Sequence, residues 1–194
     1  MTTPFLPPIE KPRGRVLRLM FAVCRRQFGK VPTPFTVFSA RMPFAFLSFY
    51  TKINRLDRKL TLPAETVVLV RERVAGTNGC LFCQDVTRWY ALRKQVVSEE
   101  RLDALSSYGT SPLFDGAERA ALDYVGEVAR DKHVRPETFE RLARHYDERQ
   151  ICELVWLVAS EHVYNITNHA LNIGSDGFCE LRPPRPAARA GSAS

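Results

Sequence analysis

Through the middle of the chain the apolar side chains recur three and four positions apart, and they do not alternate at period two for long. That spacing is buried by helices packed on helices. The helix starts carry their own marks: Ser98 stands before Glu99 and Glu100, Asp115 precedes Glu118 by three residues, Pro136 suits a first turn, and Asp147 precedes Gln150 by three. These signals predict helices over about 14–28, 43–58, 62–76, 80–96, 98–107, 115–130, 136–145 and 148–172, an all-α chain. The last opens with "ICELVWLVAS", apolar nearly all round, so several of its faces need cover. It is either the central helix of a bundle or part of a subunit interface.

With 194 residues, 45% of them hydrophobic, the chain can bury one sizeable core. Three parts are expected: a basic arm with one helix over 1–40, a helical domain over 41–181, and a disordered tail over 182–194, "RPPRPAARAGSAS". No segment approaches the roughly 20 apolar residues that a membrane span needs, and the start lacks the apolar core of a secretion signal. Positive charge gathers at one end. Residues 1–60 hold twelve Lys or Arg against only Glu10 and Asp57, while the rest of the chain is slightly acidic. A helix in "KPRGRVLRLMFAVCRRQFGK" would turn Arg15, Arg18, Arg25 and Arg26 to solvent and Leu17, Met20, Phe21 and Cys24 to an apolar surface. That surface is its own bundle, an anionic membrane or an acidic partner. No recognition motif accompanies these basic residues, so nucleic acid is not an expected partner.

Five cysteines, Cys24, Cys80, Cys83, Cys152 and Cys179, are odd in number and lack the spacing of a disulfide framework. This argues for a reducing compartment, the cytoplasm, with any disulfide transient and chemical. Cys80 and Cys83 follow the turn "GTNG" at the start of a helix, where unpaired N–H groups favour a thiolate and where one turn of helix sets both sulfurs on one face. Such a pair can act as a dithiol switch. It can also be two small core residues, since free cysteine is often buried. Zinc is the third reading, but there is no second Cys-x-x-Cys, and His162 and His169 are separated by seven residues of helix, about 10 Å. Core packing is the expected place of Cys24, Cys152 and Cys179, and His133 and His145, in polar surroundings, suggest no role.

The stretch "LPAETVVLVRERVAGTNGCLFCQDVTRWYALRKQVVSEERLDAL", followed by "LFDGAERAALDYVGEVA" and "RHYDERQICELVWLVASEHVYNITNHALNIGSDGFCEL", resembles the carboxymuconolactone decarboxylase and alkylhydroperoxidase-D-like superfamily. The resemblance covers roughly residues 40–180, and the Cys-x-x-Cys after "NG" is its most specific part. It implies an orthogonal helical bundle, homo-oligomers such as trimers or hexamers, and paired asparagines on the final helix. In the peroxidase branch it implies a cysteine pair that reduces hydroperoxides and is recycled by a dithiol or thioredoxin-like donor. There Cys83 matches the attacking cysteine and Cys80 the resolving one, although helix geometry alone favours a thiolate at Cys80. That branch also uses a relay of a glutamate twelve residues before the first cysteine and a histidine four after the second. Those positions hold Val68 and Thr87, so both relay residues are missing.

General acid–base assistance is worth about 10²–10⁴-fold, so replacements are sought nearby. Glu65 and Glu72 lie three before and four after Val68, on one helical face, and Asp85 lies two after Cys83. His162, beside Asn165 on the final helix, is the best surviving imidazole. Each has a plain alternative, a salt bridge for the carboxylates and a simple hydrogen bond for His162. Trp89 and Tyr90 are expected to pack the bundle or an interface. The functional expectation is a cysteine-pair oxidoreductase that calls for no metal or organic cofactor and acts on a hydroperoxide or disulfide. The alternative is a non-catalytic helical oligomer that binds a small apolar ligand, a partner or a membrane surface. Lactone decarboxylation rests on the family name alone.

Overall fold

The computed structural model describes residues 3–179, apart from the side chains of residues 45–47; the tail over 182–194 lies outside the described residues. Eight α-helices follow one another: α1 Arg15–Phe28, α2 Pro43–Asp57, α3 Ala64–Thr77, α4 Leu81–Arg93, α5 Glu99–Asp103, α6 Gly116–Asp131, α7 Pro136–Ala143 and α8 Glu148–Ala170. No strand occurs among the described residues. The expected starts of α6 and α8 are both capping boxes, in which Asp115 with Glu118 and Asp147 with Gln150 satisfy the first free N–H groups. Ser98 caps α5 in the same way from one side, and α5 tightens into a 3₁₀ turn at Ala104–Ser107. One element was not anticipated, a π-helical turn at Phe35–Ser39 that follows Pro32 and Pro34.

The centre belongs to α3, which packs against α4, α6 and α8. Its Val70 and Val74 join Ala121 and Val125 of α6, Leu142 of α7, and Leu154 and Leu157 of α8 in the main core. Its Leu69 joins Ala91, Leu102, Phe114 and Leu122 in a second cluster. The third cluster gathers Val37, Ala75, Cys80, Phe82, Cys83, Ile173 and Phe178. α8 packs against α3, α4, α6 and α7. Its inner face is buried, while Val155, Val163 and Ile166 on its outer face are 43%, 39% and 63% exposed.

The basic arm lies on the bundle. Leu17, Phe21 and Cys24 of α1 are buried, and Arg15, Arg18, Arg25 and Arg26 are exposed. At its end the Phe28 ring sits 4.8 Å from Trp89 and 5.5 Å from Phe178. No helix among the described residues is long and apolar enough to cross a membrane.

Candidate functional site

The turn between α3 and α4 places the cysteine pair. Gly79 adopts a left-handed φ of 69°, a conformation in which a β-carbon is strained, and this turns the chain into α4. Of the two residues suited to that role only Gly79 takes it, since Asn78 stays right-handed. Cys80 is the N-cap of α4, and its Sγ accepts the Cys83 N–H at 3.3 Å. Cys80 and Cys83 are joined as a disulfide, with Cα atoms 5.3 Å apart. Both are buried.

Two amides of α8 aim at the sulfurs. Asn165 Nδ2 donates to Cys83 Sγ at 3.0 Å, and Asn168 Nδ2 donates to Cys83 Sγ at 3.3 Å and to Cys80 Sγ at 3.6 Å. Asn165 is locked at both ends. Its Oδ1 accepts from Asn78 Nδ2 at 2.7 Å, and its Nδ2 also donates to Glu161 Oε1 at 2.9 Å. Glu161 in turn accepts from Arg71 at 2.9 Å, and Arg71 reaches Asp57 at 2.7 Å. Arg71 thus stands between two carboxylates, whose charge more than offsets its loss of hydration and holds it charged. Buried N–H groups directed at one sulfur stabilise a thiolate there, because charge-assisted hydrogen bonds are the strong ones.

Cys83 and Asn168, but not Cys80, line a cleft of about 950 Å³. Its walls include Phe28, Phe35, Phe38, Tyr50, Trp89 and Tyr164, with Arg71 and Glu161 among the polar lining. Val68 and Thr87, the positions where the resemblance expects a glutamate and a histidine, also line it.

The remaining candidates lie in distinct settings. Glu72 is 6% exposed; its Oε1 accepts from Arg88 Nε at 3.0 Å, while Oε2 is buried without a partner. Burial pushes its carboxyl up to about 7 against the pull of Arg88, and nearby Glu161 adds to the rise. Glu65 pairs with Arg101. Asp85 serves as a clasp for the segment after α8: it accepts from the N–H groups of Asp176, Phe178 and Cys179 and from the Ser175 hydroxyl, at 2.8–3.1 Å. Burial alone would raise its carboxyl, but these donors outweigh burial and hold it below the usual range. That clasp seats Phe178 beside the cysteine pair and raises the Cys179 thiol to about 11 through burial and the Asp85 charge.

His162 reaches the sulfurs only through other side chains. Its Nδ1 faces Val158 O at 2.9 Å, and its Nε2 faces Lys132 Nζ at 2.9 Å and Asn78 Nδ2 at 3.3 Å. A carbonyl facing Nδ1 and two nitrogen donors facing Nε2 hold the ring in this orientation. His169 Nε2 faces Asn78 O. Among the described residues no three metal-ligating side chains converge. Cys24 is buried as expected and Cys179 half-buried, but Cys152 is exposed, because Glu153 and Leu154 hold the inward register of α8 and Cys152 points away. Glu161 and Asp57 escaped the sequence reading. The signal for Glu161 was a carboxylate inside an otherwise apolar helical run, one turn before an asparagine.

The sequence pattern of the carboxymuconolactone decarboxylase family matches residues 44–127. YnjA of Escherichia coli K12 is 32% identical over 187 residues, which span 93% of this chain and 98% of that protein. The debrominase Bmp8, in a cysteine-to-alanine variant with 2,3,4-tribromopyrrole bound, shares the fold with a TM-score of 0.76 at 20% identity, over 91% of this chain and 94% of the other. A peroxidase-related protein with an alkylhydroperoxidase AhpD core, from Ralstonia eutropha JMP134, gives a TM-score of 0.67 at 19% identity, over 89% and 95%. The helical order, the paired cysteines after the α3–α4 turn and these matches agree: the chain shares the fold of the AhpD core and belongs to the carboxymuconolactone decarboxylase family.

Proposed function

We propose that the protein is a cysteine-pair oxidoreductase that reduces hydroperoxides, with Cys83 as the attacking thiolate and Cys80 as the resolving thiol. The observation that carries this reading is the placement of Cys83 on the wall of the cleft under two amide donors, while Cys80 faces the core. Cys83 sulfur attacks the outer oxygen of R–O–O–H, the O–O bond breaks, and the alcohol leaves as Cys83 becomes a sulfenic acid. Cys80 then displaces water from that sulfur and closes the disulfide. Sulfur gives up two electrons, the two thiol protons end in the alcohol and in water, and a dithiol or thioredoxin-like donor reopens the pair. Asn165 and Asn168 stabilise the Cys83 thiolate by hydrogen bonding, and with Val68 and Thr87 in place of the relay the thiol proton is released to water and the departing alkoxide is protonated by water. Asp85 and His162 are assigned positioning roles, Asp85 for the segment 175–179 and His162 for Asn78.

A second reading has support from the bound ligand of the debrominase neighbour and from the aromatic walls of the cleft. In it the same pair reduces a carbon–halogen bond, R–X and two thiols giving R–H, the disulfide and HX. The cytoplasm, whose thiol pools reduce disulfides, is the proposed compartment. The exposed apolar face of α8 is the proposed surface for self-association, and the mass from solution scattering checks it.

The function is tested by consumption of hydroperoxide with a dithiol donor, in the parent and in Cys83→Ser and Cys80→Ser. Turnover is expected in the parent and lost in both variants. Equal turnover in parent and Cys83→Ser would overturn the reading.

A further inference from the structure

The outer face of α1 is left uncovered by the described residues. Leu17, Phe21 and Cys24 are buried on the bundle, yet Val16, Leu19 and Val23 are 67%, 68% and 54% exposed. At about 100° per residue these three fall within an arc of about 60°, with Arg26 and Arg15 adjoining them on one side and Arg18 beyond. A single exposed leucine is ordinary, but three apolar side chains in register beside three cations form a patch.

Charge says what covers it. Between Glu10 and Asp57 the chain holds ten Lys or Arg and no acidic side chain. Lys30 is paired with Asp176, whereas Arg15, Arg18 and Arg26 form no ion pair among the described residues. Arg25 lies over the Phe21 ring at 6.0 Å, on the flank nearer the bundle. Arg15 and Arg18 occupy the first turn, where free N–H groups carry partial positive charge, and no acidic residue of that turn offsets them. That placement costs the helix stability in water, and an anionic surface reverses the cost.

A second copy laid face to face would set arginine against arginine. A nucleic acid would leave Val16, Leu19 and Val23 in water. Phospholipid answers both halves of the patch, with phosphates for the guanidinium groups and the acyl boundary for the apolar side chains. With 14 residues, about 21 Å of helix, α1 is long enough to lie on a bilayer and too short to cross it.

We propose that α1 docks the protein on an anionic lipid surface, with Val16, Leu19 and Val23 entering the boundary between headgroups and acyl chains and Arg15, Arg18 and Arg26 meeting lipid phosphates. Docking is reversible and salt-sensitive, because one short helix supplies both the apolar and the charged contact. Leu17, Phe21 and Cys24 keep α1 on the bundle throughout. The proposal is independent of the cysteine chemistry.

Co-sedimentation of the full chain with vesicles tests it, phosphatidylcholine alone against an equal mixture with phosphatidylglycerol. Partitioning to the anionic vesicles is expected to exceed that to phosphatidylcholine by roughly ten-fold or more, and to fall by a similar factor between about 0.1 and about 0.5 M salt. Each arginine near such a surface contributes roughly five-fold, so Arg15→Glu/Arg26→Glu should weaken partitioning by roughly 25-fold or more. Leu19→Glu is expected to weaken it by about ten-fold or more, through lost apolar burial. All three positions are exposed, so both variants are expected to keep the helical circular dichroism of the parent. Lys94→Glu/Arg144→Glu makes the same charge change at exposed sites off α1 and should stay within about three-fold of the parent. Equal losses in the two charge-reversed pairs, or equal binding to the two kinds of vesicle, would overturn the proposal. A parent that binds no vesicle overturns it too, and a mass in solution that drops in Leu19→Glu would then give the face to a second copy.

Discussion

Glu72→Gln separates a buried structural carboxylate from a catalytic base. The side chain is 6% exposed, one oxygen meets Arg88 at 3.0 Å and the other meets nothing. Its carboxyl is lifted from 4.5 to about 7, first by burial, with Glu161 of α8 adding to the rise and Arg88 of α4 opposing it. Between those two values the folded chain holds a proton that the unfolded chain has released, so the folded state binds more protons there. Stability at this site is therefore complete below about pH 4.5, falls as pH rises toward 7, and stays low above it. A difference of about two and a half pH units, at ~1.4 kcal/mol each, makes the whole fall about 3–4 kcal/mol. The pull of Arg88 is already contained in that shift. Urea denaturation at pH 5 and pH 8 reads the effect. The parent should lose about 2–3 kcal/mol more than Glu72→Gln across that interval, and the variant should be the more stable protein at pH 8, with hydroperoxide turnover retained. Identical pH slopes in the two proteins would refute the reasoning. Lost turnover with an unchanged stability profile would make Glu72 the base after all.

Two further outcomes follow from the same geometry. Asp85→Ala removes the acceptor of four donors in residues 175–179 and should cost about 2–4 kcal/mol, with the Phe178 amide, protected in the parent, exchanging rapidly with deuterium. Asn165→Leu removes the 3.0 Å donor to Cys83 and should slow alkylation of Cys83 by iodoacetamide at neutral pH about ten-fold or more, measured in a Cys80→Ser background.

The fold was legible where short-range chemistry decides it. Asp115, Asp147 and Ser98 sit where caps form, and Pro136 where a first turn tolerates it, so those helix starts appeared in the sequence within a residue or two. The π-helical turn at Phe35–Ser39 left no comparable mark, because its register depends on packing rather than on a cap. α8 is apolar on both its inner and outer faces, and periodicity alone does not say which neighbour covers which face. The same ambiguity misplaced Cys152, which is exposed.

At the candidate site, the spacing of Cys80 and Cys83 and the turn before them were sufficient to bring the sulfurs together. The roles of Asp85 and Glu161 were not visible, since their partners lie at the chain's far end and on another helix. Two residues from the cysteine in sequence, Asp85 is spent on backbone N–H groups more than 90 positions away.

The central claim is that Cys83, reached from the cleft and held under two amides, attacks the peroxide oxygen. Trapping with dimedone after one equivalent of cumene hydroperoxide, followed by mass mapping, addresses it in the two single-cysteine variants. The account predicts a sulfenic adduct on Cys83 in Cys80→Ser and none on Cys80 in Cys83→Ser. An adduct on Cys80 in Cys83→Ser, with Cys83 unmodified in Cys80→Ser, would contradict it.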